Sequence, residues 1–272
     1  MSDIKLEQAW NSLELCNSNY KDIKTVVITA GGTTEPIDSV RKITNMSTGK
    51  LGSMICNEIL KSDNTTIYYI CPKTAVKPNA DPRIHFIYVD TVQELSDAIS
   101  KTLQSVKVDY FIHSMAVSDY EVDYVTNVEL LTKSLYTRLS NSAMIDEFND
   151  IIKDTITSGT SVIDRSSKIS SNASDLIIKL KPTQKVISMI KRLEPDVKLI
   201  GFKLLNSVTE EELCNVAWEL LKKNDCDYVV ANDLATIRQG IHKGIIINKE
   251  YKKAYADSKE DIAYQLARIV NA

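Results

Sequence analysis

A chain of 272 residues with 43% hydrophobic and 25% charged residues has an ordinary globular composition and enough length to bury a large core. Its formal net charge of −3 gives no general attraction to nucleic acid, and no apolar run reaches the roughly 18 residues that span a bilayer, so neither a nucleic acid nor a membrane is expected as partner. Five cysteines, at 16, 56, 71, 214 and 226, lack both C-x-x-C spacing and the even count of a disulfide framework, and the polar N-terminus has no secretory pattern; a cytoplasmic protein is expected.

Residues 4–18 place Leu6, Ala9, Trp10, Leu13 and Leu15 at roughly helical spacing and predict a leading helix. A β-branched strand follows at 25–30 and runs into Ala30-Gly31-Gly32-Thr33-Thr34-Glu35-Pro36-Ile37-Asp38, then Asn45-Met46-Ser47-Thr48-Gly49-Lys50-Leu51-Gly52. Paired glycines at a strand end let backbone N–H groups approach an anion, and Ser47 or Thr48 can cap a helix over 47–62 whose start favours phosphate or carboxylate. Thr44 and Leu51 stand where a P-loop needs Gly and Ser or Thr, and the dinucleotide fingerprint Gly-x-Gly-x-x-Gly is not met. A plain tight turn explains Gly31-Gly32 alone; two such stretches in tandem favour a ligand site.

Further strands are predicted at 66–71, 84–89, 109–115, 199–203, 227–231 and 244–248, with helices at 91–105, 182–193, 208–224 and 258–271. This alternation implies a Rossmann-like three-layer α/β sandwich with a mainly parallel central sheet, formed as one domain over 1–272. Three breaks follow strand ends, at 31–50, Ser114–Tyr120 and Ala231-Asn232-Asp233, and are expected on the rim where such sheets bind ligands. Tyr124 to Arg138 shows no clean pattern, 140–153 suits a short helix, and 154–175 suits a mobile loop or lid. The segment 121–175 therefore reads as an insertion, a flap or a dimerisation arm. Arg165 to Lys203 holds nine basic and three acidic residues, either a solvated basic face or an anion-binding wall. Scattered His85, His113 and His242 make a zinc site an unsuitable reading, and His113 fits a hydrogen-bonded core position. Cys56 and Cys71 fit core packing.

The run Gly31-Gly32-Thr33-x-Glu35-Pro36-Ile37-Asp38-x-Val40-Arg41-x-Ile43-x-Asn45-x-Ser47-x-Gly49-Lys50-x-Gly52 resembles the signature of phosphopantothenate–cysteine ligases. Met115-Ala116-Val117-Ser118-Asp119-Tyr120, Lys168-Ile169-Ser170-Ser171, Leu180-Lys181-Pro182-Thr183, Ile200-Gly201-Phe202-Lys203 and Val230-Ala231-Asn232-Asp233 agree in order and spacing. The resemblance implies a ligase that activates 4'-phosphopantothenate with CTP or ATP, releasing pyrophosphate, then couples the acyl nucleotidylate to L-cysteine. It implies Mg²⁺ with the nucleotide as cofactor, and a homodimer.

By that resemblance Asn45 donates its amide to the acyl group and Lys168 neutralises the α-phosphate. Gly31, Gly32, Thr33, Ser47, Gly49 and Ala116 contact substrate or nucleotide. Arg41 pairs with phosphate or carboxylate, Asp119 contacts nucleotide or Mg²⁺, Phe202 lines the nucleotide pocket, and Lys222 or Lys223 supplies a further cation, Lys223 being taken here. Each has a structural alternative: a cap or turn for Asn45, an ion pair with Glu35 or Asp38 for Arg41, an Asx turn for Asp119. Lys168 can be a solvated loop lysine, Phe202 core, and Lys223 a helix-dipole partner. Ser170 and Ser171 replace further lysines of the basic motif that many bacterial members carry, leaving CTP against ATP open. Some 24 residues before the first strand leave no room for a flavoprotein domain, so a stand-alone form is expected. A short-chain reductase and a non-catalytic nucleotide binder are the alternatives; the three Tyr-x-x-x-Lys copies, at Tyr20, Tyr69 and Tyr255, all fall off a mid-chain helix.

Overall fold

The computed structural model describes residues 23–141, 147–159, 161–171, 175–238 and 242–272, and the helix expected at 4–18 lies outside them. The chain divides into two compact units, one of Met1–Thr33, Asn45–Val117 and Lys185–Ala272, the other of Thr34–Thr44 and Ser118–Gln184.

The first unit is a three-layer α/β sandwich. Its sheet contains β1 (Lys24–Thr29), β4 (Thr65–Cys71), β5 (Ile84–Tyr88), β6 (Tyr110–His113), β9 (Lys198–Leu205), β10 (Tyr228–Asp233), β11 (Gly244–Asn248) and β12 (Lys253–Ala256), in the order β12-β11-β10-β9-β6-β1-β4-β5. Pairing is parallel from β5 through β10, and β11 and β12 close the other edge antiparallel. The β-branched runs explain the central strands: Val26, Val27, Ile28, Ile67 and Ile70 are buried on both faces, as parallel strands covered by helices require.

Alternation divides that burial into two cores. Val27, Phe111, Leu199 and Val229 face α2 (Val92–Ser105), α5 (Ile187–Leu193) and α6 (Glu210–Asn224). Val26, Ile28, Ile112 and Ile200 face α1 (Lys50–Ile59) and α8 (Lys259–Asn271). Completely burying one such aliphatic side chain contributes about 1.5–3 kcal/mol. Helix α2 begins with a full capping box, Thr91 accepting Glu94 N–H while Glu94 accepts Thr91 N–H. The chain runs outward from β1 to β4 and β5 on one side and to β6, β9 and β10 on the other, so the strand order reverses at β1 and β6. Ligands bind at the carboxyl ends of strands around such a reversal.

The second unit pairs β2 (Thr34–Pro36) with β3 (Lys42–Thr44) and β7 (Tyr120–Asn127) with β8 (Leu176–Pro182), both antiparallel. It also carries α3 (Val128–Ser140) and α4 (Phe148–Ser158), while α7 (Leu234–Arg238) is a short turn of the first unit. Val122, Val125 and Ile169 form its small core, with Ile37, Ile43, Ile163 and Leu176 packed against them.

Several element bounds between 120 and 193 differ from those expected. The patternless stretch at 124–138 is the end of β7 and most of α3, which escapes notice because α3 buries none of its residues and so carries no apolar stripe. Of the helix expected at 140–153, residues 142–146 lie outside the described residues and α4 runs Phe148–Ser158, so the lid expected at 154–175 begins as its last turn. The helix expected from 182 starts at Ile187, because Pro182 closes β8 opposite Tyr120. Among the described residues, no helix is long and apolar enough to cross a membrane.

Candidate functional site

The carboxyl ends of β1 and β6 are tied together by an isolated parallel bridge between Gly32 and Ala116. Ala116 N–H donates to Gly31 C=O at 2.8 Å, and Thr33 N–H donates to Ala116 C=O at 3.1 Å. The Asn45 side-chain amide donates to the same Ala116 oxygen at 3.2 Å, so the returning chain is stapled to the rim at the residue that opens the second glycine stretch.

Glycine is required here by space and by conformation. Gly31 has φ +90° and Gly49 φ +75°; a Cβ on Gly49 would stand 3.1 Å from Gly31 N and 3.1 Å from the Ala75 Cβ. A Cβ on Gly32 would lie 2.8 Å from the Asn45 carbonyl oxygen. Gly31, Gly32 and Gly49 thus lie against one another in the first unit.

Gly49 itself, in a left-handed conformation, is the N-cap of α1. This corrects the capping assignment: Ser47 N–H donates to Asn45 C=O at 2.9 Å, and Thr48 Oγ1 accepts the Lys50 N–H at 3.3 Å. A positive φ at the helix entrance turns the chain so sharply that the glycine replaces a side-chain cap. Lys77 braces the neighbouring loop, donating from Nζ to the carbonyls of Pro72, Lys73 and Ala75, and Pro72 and Ala75 are the side chains that crowd Gly31.

The third expected break is set apart, since β9 separates β10 from β6. Asp233 there accepts the Ser207 and Ala235 N–H groups, and Asn232 donates to the Lys243 carbonyl at 2.7 Å, so both tie loops together. Phe202 is half-buried and packs against the core under α1 and α8, in line with its core alternative. Lys223 is exposed in the last turn of α6, where it complements the helix dipole, beside Lys222, which pairs with Glu219 at 2.6 Å.

Arg41, Asp119 and Lys168 belong to the second unit. Arg41 is engaged by Asp38: Nε and Nη2 both donate to Oδ2, and the Asp38 side chain is fully buried. The guanidinium, with the Val40, Arg41 and Ile169 N–H groups, holds the Asp38 carboxyl well below the usual carboxylate range. Asp38 is therefore the partner that spacing left undecided between it and Glu35. Asp119 is exposed, and its carbonyl accepts the Thr183 N–H at 3.0 Å. Lys168 is exposed and precedes the buried Ile169. Among the described residues no cluster of three or more His, Cys, Asp or Glu could hold a metal ion by itself.

The family model of the DNA/pantothenate metabolism flavoprotein C-terminal domain matches residues 22–158 and 160–272. The chain belongs to this family. Among curated relatives, the coenzyme A biosynthesis bifunctional protein CoaBC of Thermococcus kodakarensis is 28% identical over 244 residues, 89% of this chain and 50% of that protein. CoaBC of Methanocaldococcus jannaschii is also 28% identical, over 247 residues, 90% of this chain and 50% of that protein. The chain spans about half the length of these curated relatives. The crystal structure of the DNA/pantothenate metabolism flavoprotein from Streptococcus pneumoniae superimposes with a TM-score of 0.73 at 34% identity, covering 91% of this chain and 98% of that one. A Cab2 variant solved in complex with phosphopantothenate-cysteine shares the fold at a TM-score of 0.67 and 18% identity, over 99% of this chain and 92% of that one.

Sequence reasoning missed Arg165, whose guanidinium donates to the carbonyls of Pro36, Ile37, Val122 and Asp123. In sequence Arg165 is one residue of a basic stretch, and no local signal marks four carbonyl partners so distant in the chain.

Proposed function

We propose that this chain, with residues 1–272 serving one ligase activity, joins 4'-phosphopantothenate to L-cysteine using CTP or ATP. A carboxylate oxygen of phosphopantothenate attacks the α-phosphorus and pyrophosphate departs. The cysteine amine then attacks the acyl carbon, the nucleoside monophosphate leaves with the C–O bond electrons, and the ammonium proton is lost to solvent. Family membership supports the reaction class. The observation that carries the reading is the rim at the β1–β6 reversal, where Asn45 is fixed by Ala116 beside Gly31, Gly32 and Gly49.

In this reading Asn45 donates to the acyl oxygen as negative charge develops on it, and Lys168 stabilises charge on the α-phosphoryl group. Gly31, Gly32, Thr33, Ser47, Gly49 and Ala116 position substrate and nucleotide, with Phe202 and Lys223 as nucleotide contacts. Arg41 contributes through its clip with Asp38. Mg²⁺ would neutralise the triphosphate, and Asp119 would hold it: an exposed carboxylate outside any cluster of acids suits an ion bound mainly through phosphate oxygens and water. CTP is the favoured co-substrate and ATP the second. The chain would act in the cytoplasm as a homodimer, with 121–175 as flap or arm.

The test uses the purified full chain with phosphopantothenate, cysteine, Mg²⁺ and either CTP or ATP. Pyrophosphate release that requires phosphopantothenate, with a cysteine adduct detected by mass spectrometry, is the expected result. Pyrophosphate release that ignores phosphopantothenate, or none with either nucleotide, would overturn the reading; light scattering tests the dimer.

A further inference from the structure

The Asp38 carboxylate makes more hydrogen bonds than its own turn needs. Oδ1 accepts the Val40 and Arg41 N–H groups, each at 2.8 Å, which is enough to close the turn. Oδ2 does separate work, accepting Arg41 Nε at 2.9 Å, Arg41 Nη2, and the Ile169 N–H at 3.1 Å, 131 residues along the chain. Arg41 Nη2 also donates to the Ile169 carbonyl at 3.1 Å. One ion pair, its carboxylate buried and its guanidinium partly exposed, thus holds both backbone polar groups of a single distant residue. The Ile169 side chain completes the anchor, 4% exposed in the small core with Val122 and Val125.

The segment is held a second time four residues earlier. Arg165 Nε donates to Ile37 C=O at 2.7 Å and Nη1 to Val122 C=O at 3.1 Å. Lys168 lies between these anchors and directly precedes Ile169, with its side chain exposed. A lysine on a loose loop must lose backbone freedom whenever it meets a ligand, whereas one whose neighbours are already fixed has lost that freedom on folding.

We propose that Asp38 is a positioning residue for Lys168: with Arg41 it fixes the Ile169 peptide and so delivers the neighbouring ammonium in one backbone setting. This rests on the reading of Lys168 as an α-phosphate contact. It gives Arg41 a structural task in the same site, that of bridging the carboxylate to the Ile169 carbonyl.

The experiment is a double-mutant cycle on the full chain, with Asp38→Asn, Lys168→Ala and the pair, following phosphopantothenate-dependent pyrophosphate release and Ile169 amide exchange. Asp38→Asn is expected to lower kcat by about 10²-fold, the scale of a small misplacement of a catalytic group. KM for phosphopantothenate should stay within about twofold, and Ile169 exchange should accelerate at least about tenfold on loss of its acceptor. Because the effect passes through Lys168, the pair should be no slower than Lys168→Ala alone. Losses that multiply, or wild-type kcat in Asp38→Asn with a slow Lys168→Ala, overturn this proposal alone. A fully active Lys168→Ala overturns the role of Lys168 and this proposal with it. Should Asp38→Asn fail to fold by circular dichroism, Arg41→Lys takes its place, keeping a cation beside Asp38 but losing the fork that reaches Ile169.

Discussion

Asn45 reaches 71 residues along the chain to donate its side-chain amide to the Ala116 carbonyl, and the oxygen it meets also accepts the Thr33 N–H. Two donors fill the two lone pairs of that oxygen, and the Asn45 carboxamide is thereby tied to the segment that follows β6. Asn45 is exposed, so the bond contributes little to stability, about 0.5–1.5 kcal/mol.

Asn45→Ala is therefore expected to leave the melting temperature nearly unchanged while slowing cysteine coupling by about 10²–10³-fold, the usual loss for one donor to a developing oxyanion. Asn45→Asp should be at least as slow, because a carboxylate has no N–H for Ala116 and repels an oxyanion. Steady-state kinetics alongside thermal melts check both; a large fall in melting temperature with unchanged turnover would show a purely structural residue.

Gly52 gives a separate test of the rim's support. A Cβ there would stand 2.5 Å from the Ala30 Cβ and 3.0 Å from the Ser114 Oγ, where α1 crosses the end of β1. Gly52→Ala should cost about 1–3 kcal/mol by overpacking even though alanine is the better helix former. Urea denaturation measures it, and a stabilised variant would mean that α1 sits further from the sheet.

The central strands were legible because they are short apolar runs buried on both faces, as with Val26–Ile28 and Ile67–Ile70. The glycine rim was legible because positive φ and close backbone approach leave only glycine, as at Gly31 and Gly49. The pairing of β7 with β8 was not, because Asn127 meets Leu176 across two helices, one of which has no buried face to announce it. The Asp38 clip was half legible: an Asp three residues before an Arg suggests an ion pair, but nothing local points to the Ile169 peptide.

Cysteine reactivity follows from burial. Cys56, Cys71, Cys214 and Cys226 are all buried, and desolvation pushes the Cys226 thiol up to about 12, with Cys56 and Cys71 raised as well. Thiolates do the reacting, so these four should resist iodoacetamide at pH 8 in the native protein and react only in denaturant. Peptide mapping by mass spectrometry reads this out, and rapid native alkylation of Cys56 or Cys226 would contradict the packing of α1 or α6.

His113 makes acid sensitivity predictable. It is 7% exposed near the end of β6, its Nδ1 lies 2.8 Å from the Thr29 Oγ1, and burial pulls its pKa from 6.5 down to about 4. Below pH 6.5 the unfolded chain takes up a proton that the folded chain refuses until about pH 4. Stability is therefore full above 6.5 and falls across that window, at up to about 1.4 kcal/mol per pH unit. Between pH 7 and pH 5 this one group should remove about 2 kcal/mol. His113→Asn keeps a polar partner for Thr29 but cannot titrate, so it should start less stable at pH 7 and lose about 2 kcal/mol less on going to pH 5. Urea melts of both proteins at the two pH values give the difference directly, and parallel losses would mean that His113 is protonated in the folded protein.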